Sequence, residues 1–316
     1  MASILAQRPP PARVAPLVGP WSVPIRDVQP PWTVPLTDGE HVLIEYGVAV
    51  AAMSLIAMLT RMWSARREVG DRYRPMVHAS VAVSAVAFLS YVLLALELQG
   101  GYVRRGGVWV PQPEAIGTWT ARYLDWTVSV PLLVVEIVAV SAVTGRAASR
   151  ARLVGGGAAA LMVTLGFLGG VVIGSGADFR ALLWLGVASA VCFAVVYAVI
   201  IVVVLRSLPV LPAAARAPMT TAMVVLLVVW FVYPATYGLQ GIVSGGAWTV
   251  TEHLLMSGAD IVTKVAFGLL LLRVARIRTA SDVVAADDVH PESIWIDQLR
   301  QSEGERAAAL RGSDPR

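Results

Sequence analysis

Lys264 is the only lysine among the 316 residues. It lies in Ser257-Gly258-Ala259-Asp260-Ile261-Val262-Thr263-Lys264-Val265-Ala266-Phe267-Gly268-Leu269-Leu270-Leu271-Leu272, within an apolar run long enough to span a bilayer. An amine at such a depth costs roughly 2.5–3.5 kcal/mol on insertion scales, so it faces a protein interior and takes a partner. Asp260 stands four residues earlier, on the same helix face. A desolvated lysine is a good amine nucleophile toward a carbonyl and forms a Schiff base with it. A purely structural Asp–Lys pair tying helices together is the other reading of this stretch alone.

A second stretch, Trp119 to Glu136, places three ionisable groups in one span. Arg122 and Asp125 are three residues apart, and Asp125 and Ser129 four, so all three share a face. Glu136 follows Asp125 by eleven residues, close to three whole turns, which sets it on that face ~16 Å further along. Polar residues between membrane helices are mostly Ser, Thr or Asn, not two acids and an arginine. Two carboxylates in one line across a membrane suit proton handling. Aromatic residues form a third pattern. Trp230, Tyr233 and Tyr237 fall at i, i+3 and i+7, and Pro234 implies a kink there. With Trp126 and Trp184 they offer walls for a long apolar ligand beside the amine.

The elements that must hold these residues are membrane helices. Hydrophobic residues make up 57% and charged residues 15%, against about 25% charged in soluble domains. Mean hydropathy is +0.68. Seven apolar segments lie near 42–64, 76–98, 117–143, 151–174, 179–205, 219–241 and 249–273. The fold expected is an all-α seven-transmembrane helix bundle with short connections and antiparallel neighbours. One set of alternate connections and the last helix exit carries thirteen arginines, from Arg61 to Arg278; the other side has six, Arg8, Arg13, Arg26, Arg104, Arg105 and Arg180. The positive-inside rule then puts the N-terminus outside and the C-terminus in the cytoplasm. The arginines form no basic stripe, so nucleic acid is not an expected partner. No metal-ligand cluster is evident, and the single cysteine, Cys192, excludes an intrachain disulfide.

Three regions are expected. Residues 1–40 are a Pro-rich extracellular lead, largely extended, with Trp21 and Trp32 at the membrane interface. No signal peptide is evident. Residues 41–278 are the helix bundle. Residues 279–316 are a polar cytoplasmic tail, partly disordered, with a short helix near 291–300 and surface positions for His290 and Trp295.

The helices resemble the microbial rhodopsins, the light-driven retinal proteins of the bacteriorhodopsin and proteorhodopsin type, over about 42–278. The resemblance rests on Arg122-Tyr123-x-Asp125-Trp126 with Pro131-Leu132-Leu133, on Trp230-x-x-Tyr233-Pro234-x-x-Tyr237, and on Asp260-x-x-x-Lys264-x-x-Phe267-Gly268. It implies that Lys264 binds all-trans-retinal as a protonated Schiff base. It implies Asp125 as primary counterion and proton acceptor, Asp260 as second counterion, Arg122 just outside them, Ser129 one turn from the acceptor, and Glu136 as cytoplasmic proton donor. Trp126, Trp184, Trp230, Tyr233 and Tyr237 would line the polyene, with Met162 and Gly166 near its ring. Leu133 matches the position where leucine accompanies green absorption, and Tyr91 resembles the tyrosine beside the counterions. Glu252 matches one member of a glutamate pair that releases protons, but the other position, near Ile242, has no acid. Relatives with a carotenoid antenna have glycine where Trp184 is expected to stand, so no antenna is expected.

The function implied is a light-driven outward proton pump in the cell membrane, a transporter and not an enzyme, in the lipid bilayer as a trimer or pentamer. A sensory rhodopsin with a slow photocycle and a transducer partner is the alternative. Thr263 before the lysine favours it; Leu226, where such receptors have a tyrosine, and Glu136 oppose it. A chloride pump would lack Asp125, and a sodium pump would carry Asn, Asp and Gln at 125, 129 and 136. A retinal-free transporter using Lys264 as a plain charge is the remaining reading. Retinal added to the apoprotein should give a visible absorption band that Lys264→Ala abolishes; an unchanged band would remove the lysine from the account.

Overall fold

Thr37 starts the first long helix. Its hydroxyl accepts a hydrogen bond from Glu40 N at 3.3 Å, and the Glu40 carboxylate accepts one from Thr37 N at 2.8 Å. This reciprocal cap satisfies first-turn amides, so α1 (Asp38–Ala65) begins ahead of the apolar boundary near 42. The computed structural model describes residues 28–285. The helices that follow are α2 (Arg74–Gly101), α3 (Gly117–Ala139), α4 (Gly145–Phe167), α5 (Phe179–Ser207), α6 (Ala213–Trp230), α7 (Val232–Leu239), α8 (Gly246–Asp260) and α9 (Phe267–Val284).

Among the described residues, nine helices make seven crossings. Pro234 has no N–H to give the Trp230 carbonyl and crowds it. The helix accordingly breaks at Phe231, and α6 and α7 form one kinked rod that resumes with Ala235 N bonded to Phe231 O at 3.2 Å. α8 passes through a π-helical turn, Ile261–Ala266, into α9 with helical dihedrals at both junctions. Six of the crossings are long and apolar enough to traverse a membrane by composition. The seventh, α3, carries Arg122, Asp125 and Glu136 and has Pro131 inside it. The helix that looks least like a membrane helix thus carries three buried ionisable groups of its own.

The bundle closes as a ring. α3 packs between α2 and α4, α5 follows α4, α6 lies on α9, and α8 returns to α1. At one end a small antiparallel sheet covers it, in the order β1 (Leu36–Thr37), β3 (Val108–Pro111), β2 (Tyr102–Arg105). Gly106 and Gly107, with φ +59° and +84°, make the two-residue turn between β2 and β3. The sequence reading missed this hairpin because its strands are only four residues long.

Both flanking regions need correction. The lead, expected to be largely extended, holds local structure in its described part. Residues 31–33 form a 3-10 turn, and Trp32 is buried against Trp119, ring centroids 5.9 Å apart, rather than resting at a membrane interface. The polar tail does not begin at 279, because α9 continues to Val284. Thr279 Oγ1 accepts from Gly70 N at 3.0 Å, and Tyr73 Oη donates to Asp282 at 2.5 Å. Hydrogen bonds replace apolar burial as the reason for helix there, which hydropathy does not reveal. Trp21, His290, Trp295 and the helix expected near 291–300 lie outside the described residues.

Arg278 ties two rods together at the end opposite the sheet. Only 7% exposed, it donates to Val140 O at 2.9 Å and Ser141 O at 2.6 Å, just past the last turn of α3. These carbonyls have no partner within their own helix. Arg278→Ala should destabilise the folded protein by roughly 2–4 kcal/mol, since hydrogen bonds from a charged donor are lost and buried acceptors are left bare. Thermal unfolding followed by circular dichroism measures this.

Candidate functional site

Lys264 lies on the π-helical turn and reaches the middle of the bundle. Its Nζ donates to Asp125 Oδ2 at 2.5 Å and to Asp260 Oδ1 at 2.8 Å. The expected i, i+4 pair with Asp260 is therefore formed, and α3 supplies the second carboxylate from across the bundle. All three side chains are buried.

The two carboxylates are held unequally. Asp260 accepts four hydrogen bonds: Oδ1 from Lys264, from Tyr233 Oη at 2.7 Å and from Trp126 Nε1 at 3.3 Å, and Oδ2 from Tyr91 Oη at 2.8 Å. Arg122 Nη1 is 3.9 Å from Oδ2. Asp125 accepts from Lys264 through Oδ2, and its Oδ1 has no hydrogen-bond partner. Ser129, one turn along α3, is fully buried beside the same carboxylate.

Arg122 forms the next layer toward the sheet end. It donates to Tyr91 Oη at 3.2 Å and, through Nη2, to Ser257 Oγ at 3.3 Å and His253 O at 3.4 Å. The same Nη2 is 3.1 Å from His253 Nδ1. Beyond it, Glu252 is buried with Oε1 accepting from Gln240 Nε2 at 3.0 Å. The neighbour of Glu252 is thus an amide, consistent with the absence of an acid near Ile242. Glu136 lies on the other side, ~16 Å along α3 from Asp125. It is fully buried, its oxygens have no hydrogen-bond partner, and no cation pairs with it among the described residues.

A cavity of about 450 Å³ extends from Lys264 between α3, α4, α5 and α6–α7. Trp126, Leu133, Met162, Gly166, Trp230, Tyr233 and Tyr237 line it. Tyr91 stands beside the counterions, as expected, donating to Asp260 Oδ2, and lines no part of the cavity. One residue expected in the wall is elsewhere. Trp184 is 68% exposed on the outside of α5. The inward face of α5 is Leu182, Gly186, Ser189 and Phe193, at helical spacing, and Trp184 is two residues from that line, about 200° round the helix. Gly186 forms the wall, so Trp184 gives no ground for excluding a second chromophore.

Gly186 has a definite job. A Cβ there would come 2.7 Å from the Tyr237 ring, and Cβ atoms at Gly169 and Gly170 would come 2.6 and 2.9 Å from the same side chain. The three glycines cradle Tyr237, whose hydroxyl donates to Leu182 O at 3.0 Å. Gly169 and Gly170, expected to bring helices together, admit an aromatic ring. Gly169 also lets its helix approach α5 closely, since the same Cβ would lie 2.8 Å from Leu185 Cβ and 2.9 Å from Ala181 O. His253, Ser257 and Gln240 were missed as site residues. Their signal was present: His253 and Ser257 precede Asp260 by seven and three residues, on its helix face.

Trp184→Ala should leave the absorption band of the retinal-loaded protein where it is, while Gly169→Ala should displace Tyr237 and shift the band. Overpacking of this kind typically costs about 1–3 kcal/mol. Absorption spectra and thermal bleaching of the two variants check both statements.

The cavity fits a long apolar molecule carrying a carbonyl at one end: its walls are aromatic and aliphatic, and its closed end presents one amine between two carboxylates. Comparison with known proteins agrees. The family described as bacteriorhodopsin-like protein matches residues 40–277. Cruxrhodopsin-3 of Haloarcula vallismortis is 27% identical over 241 residues, covering 75% of this chain and 90% of its own length. The green-light absorbing proteorhodopsin of a gamma-proteobacterium is 25% identical over 236 residues, covering 70% and 82%. Among solved structures, thermophilic rhodopsin superposes with a TM-score of 0.72 at 24% identity, covering 79% of this chain and 98% of its own. Xanthorhodopsin, described as a light-driven ion pump with dual chromophore, gives 0.70 at 23%, covering 79% and 98%. Members of this family are integral membrane proteins that bind retinal covalently. With its seven crossings and its buried amine at the end of an apolar cavity, the chain belongs to the bacteriorhodopsin-like family.

Proposed function

We propose that the protein is a light-driven outward proton pump of the cell membrane. The observation that carries this reading is the inequality of the two carboxylates at Lys264. Asp260 is saturated by four donors, whereas Asp125 keeps Oδ1 free. A carboxylate stabilised by several hydrogen bonds is a poor proton acceptor, and one with an open lone pair is a better one. All-trans-retinal held at Lys264 Nζ as a protonated Schiff base would supply light absorption and an isomerisation.

The chain's own groups then divide the work. Lys264 Nζ holds the proton to be moved, and Asp125 Oδ1 receives it. Asp260, fixed by Tyr91, Tyr233 and Trp126, keeps a negative charge beside the amine throughout. Glu136 resupplies the nitrogen from the opposite side. It is enclosed by Val134, Ile137 and Val138, all buried. The arginine distribution supports the direction. The sheet end holds the arginine-poor connections and faces outside; the Arg278 end holds the rich ones and faces the cytoplasm. Glu136 is then on the inner side of Lys264, and Arg122 and Glu252 on the outer. Glu252, paired with Gln240, does not act in release as one of two acids. We place the protein in the bilayer as a trimer or pentamer.

The sensory alternative has less support. Thr263 Oγ1 donates to Ala259 O of its own helix at 2.8 Å, Leu226 has no hydroxyl, and the tyrosine beside Thr263, Tyr233, gives its own hydroxyl proton to Asp260 at 2.7 Å. Illuminated cells making the retinal-loaded protein should acidify the medium, and an uncoupler should abolish the change. Glu136→Gln should slow reprotonation of the nitrogen by roughly 100-fold, the lower end of a general acid's usual contribution, read by flash photolysis. No acidification, with a slow cycle, would favour the sensor; an unchanged cycle in the variant would remove Glu136 from the path.

A further inference from the structure

Trp32, Val34 and Leu36 are at most 5% exposed, although they precede residue 40, where the family match begins. Trp32 stands where three segments meet at the sheet end. Its ring centroid is 5.9 Å from that of Trp119, in the first turn of α3. On the connection from α4 to α5, a Cβ at Gly176 would come 2.7 Å from the Trp32 ring, so the glycine makes room for it. At α8, Thr249 Oγ1 donates to Pro31 O at 3.4 Å, three residues before Glu252. The turn that carries the ring is closed by its own hydrogen bonds, from Thr33 N and Oγ1 to Pro30 O at 3.0 and 2.7 Å. Pro30, Pro31 and Pro35 fix φ around it, which lowers the entropy cost of holding the indole in place. Inward of Thr249, α8 presents Glu252, His253, Ser257 and Asp260, none more than 3% exposed. Glu252 Oε2 and Trp119 Nε1 have no hydrogen-bond partner among the described residues. A polar file thus runs from Lys264 to an indole cover.

We propose that Trp32 is the stopper at the sheet end of the proton path: its indole, wedged between Trp119 and Gly176, keeps bulk water from Glu252 and from the carboxylates beyond it. This rests on the reading of that end as the side of release. Protons pass along hydrogen-bonding groups and water. An indole ring offers no acceptor, and its one N–H only donates. A proton arriving from the medium therefore meets an apolar ring before it meets Glu252. The prolines beside Trp32 keep that barrier seated.

In the dark, the absorption band of the retinal-loaded protein shifts when a carboxylate beside the amine takes up a proton. Its response to a sudden drop in pH therefore times the passage of protons from water. Spheroplasts present the outer face to added acid, and inverted vesicles the inner face. In spheroplasts Trp32→Ala should respond about tenfold faster than the parent, the rate equivalent of one aromatic pair. Trp32→Phe, which refills most of the space, should restore most of the delay. In inverted vesicles all three proteins should respond alike. A Trp32 that only stabilises the fold would lower the thermal midpoint of Trp32→Ala and leave its response at the parent rate. That result, Trp32→Phe as fast as Trp32→Ala, or equal acceleration from both faces would overturn the proposal. Acceleration confined to inverted vesicles would overturn the assignment of the sheet end to the outside and keep the stopper. If Trp32→Ala takes up no retinal, Trp32→Leu is read in its place. A parent that does not acidify the medium under light would overturn the pump reading, while the dark responses still decide whether Trp32 excludes water.

Discussion

Everything in this bundle is arranged around an ammonium group clamped between two carboxylates far from water. Lys264 and Arg122 are set against Asp125 and Asp260, so two cations meet two anions within one buried layer. Breaking a buried pair by removing one partner typically costs about 3–5 kcal/mol, because it strands a charge. Four separate elements must therefore keep register: α3 for Asp125 and Arg122, α8 for Asp260, the π-helical turn for Lys264, and α2 for Tyr91. Tyr233 and Trp126 add the remaining donors. The layer is neutral as a whole but uneven in detail, and the unevenness distinguishes two acids that composition alone makes identical.

The cavity shows a second constraint. Tyr237 forms part of its wall only because Gly169, Gly170 and Gly186 leave room for the ring. The break at Phe231 turns α7 so that Tyr233 meets Asp260 while Tyr237 enters the glycine cradle. One proline, placed between the two tyrosines, serves a polar and an apolar contact together.

Much of the centre was legible in the sequence, because charge in an apolar helix has few explanations and helix periodicity fixes who faces whom. Lys264 with Asp260, and Arg122 with Asp125 and Ser129, follow from spacings of three and four. The same arithmetic would have turned Trp184 outward and Gly186 inward; the large ring was preferred because aromatic residues attract attention in a pocket and glycine does not. His253, beside Glu252, hinted at an outer proton network, but its partner, Arg122, is 131 residues away and the sequence does not join them. Gln240 was invisible for a similar reason: the helix bearing Glu252 does not say what faces it. Hydropathy also misplaced helix ends. α1 starts on a polar cap, and α9 continues on hydrogen bonds from Gly70 and Tyr73, neither of which registers as apolar run length.

The tie made by Arg278 has a mechanical consequence. α3 and α9 are joined at the Asp125–Lys264 pair and again, near the far end of the bundle, where Arg278 grips the carbonyls of Val140 and Ser141. Two rungs make a ladder out of two rods. Glu136 sits between the rungs, so its separation from the amine is set by a stiff frame. The α6–α7 rod, interrupted at Phe231, touches α3 through the Tyr233 and Trp126 rings and is tied to α5 and α8, by Tyr237 to Leu182 O and by Tyr233 to Asp260.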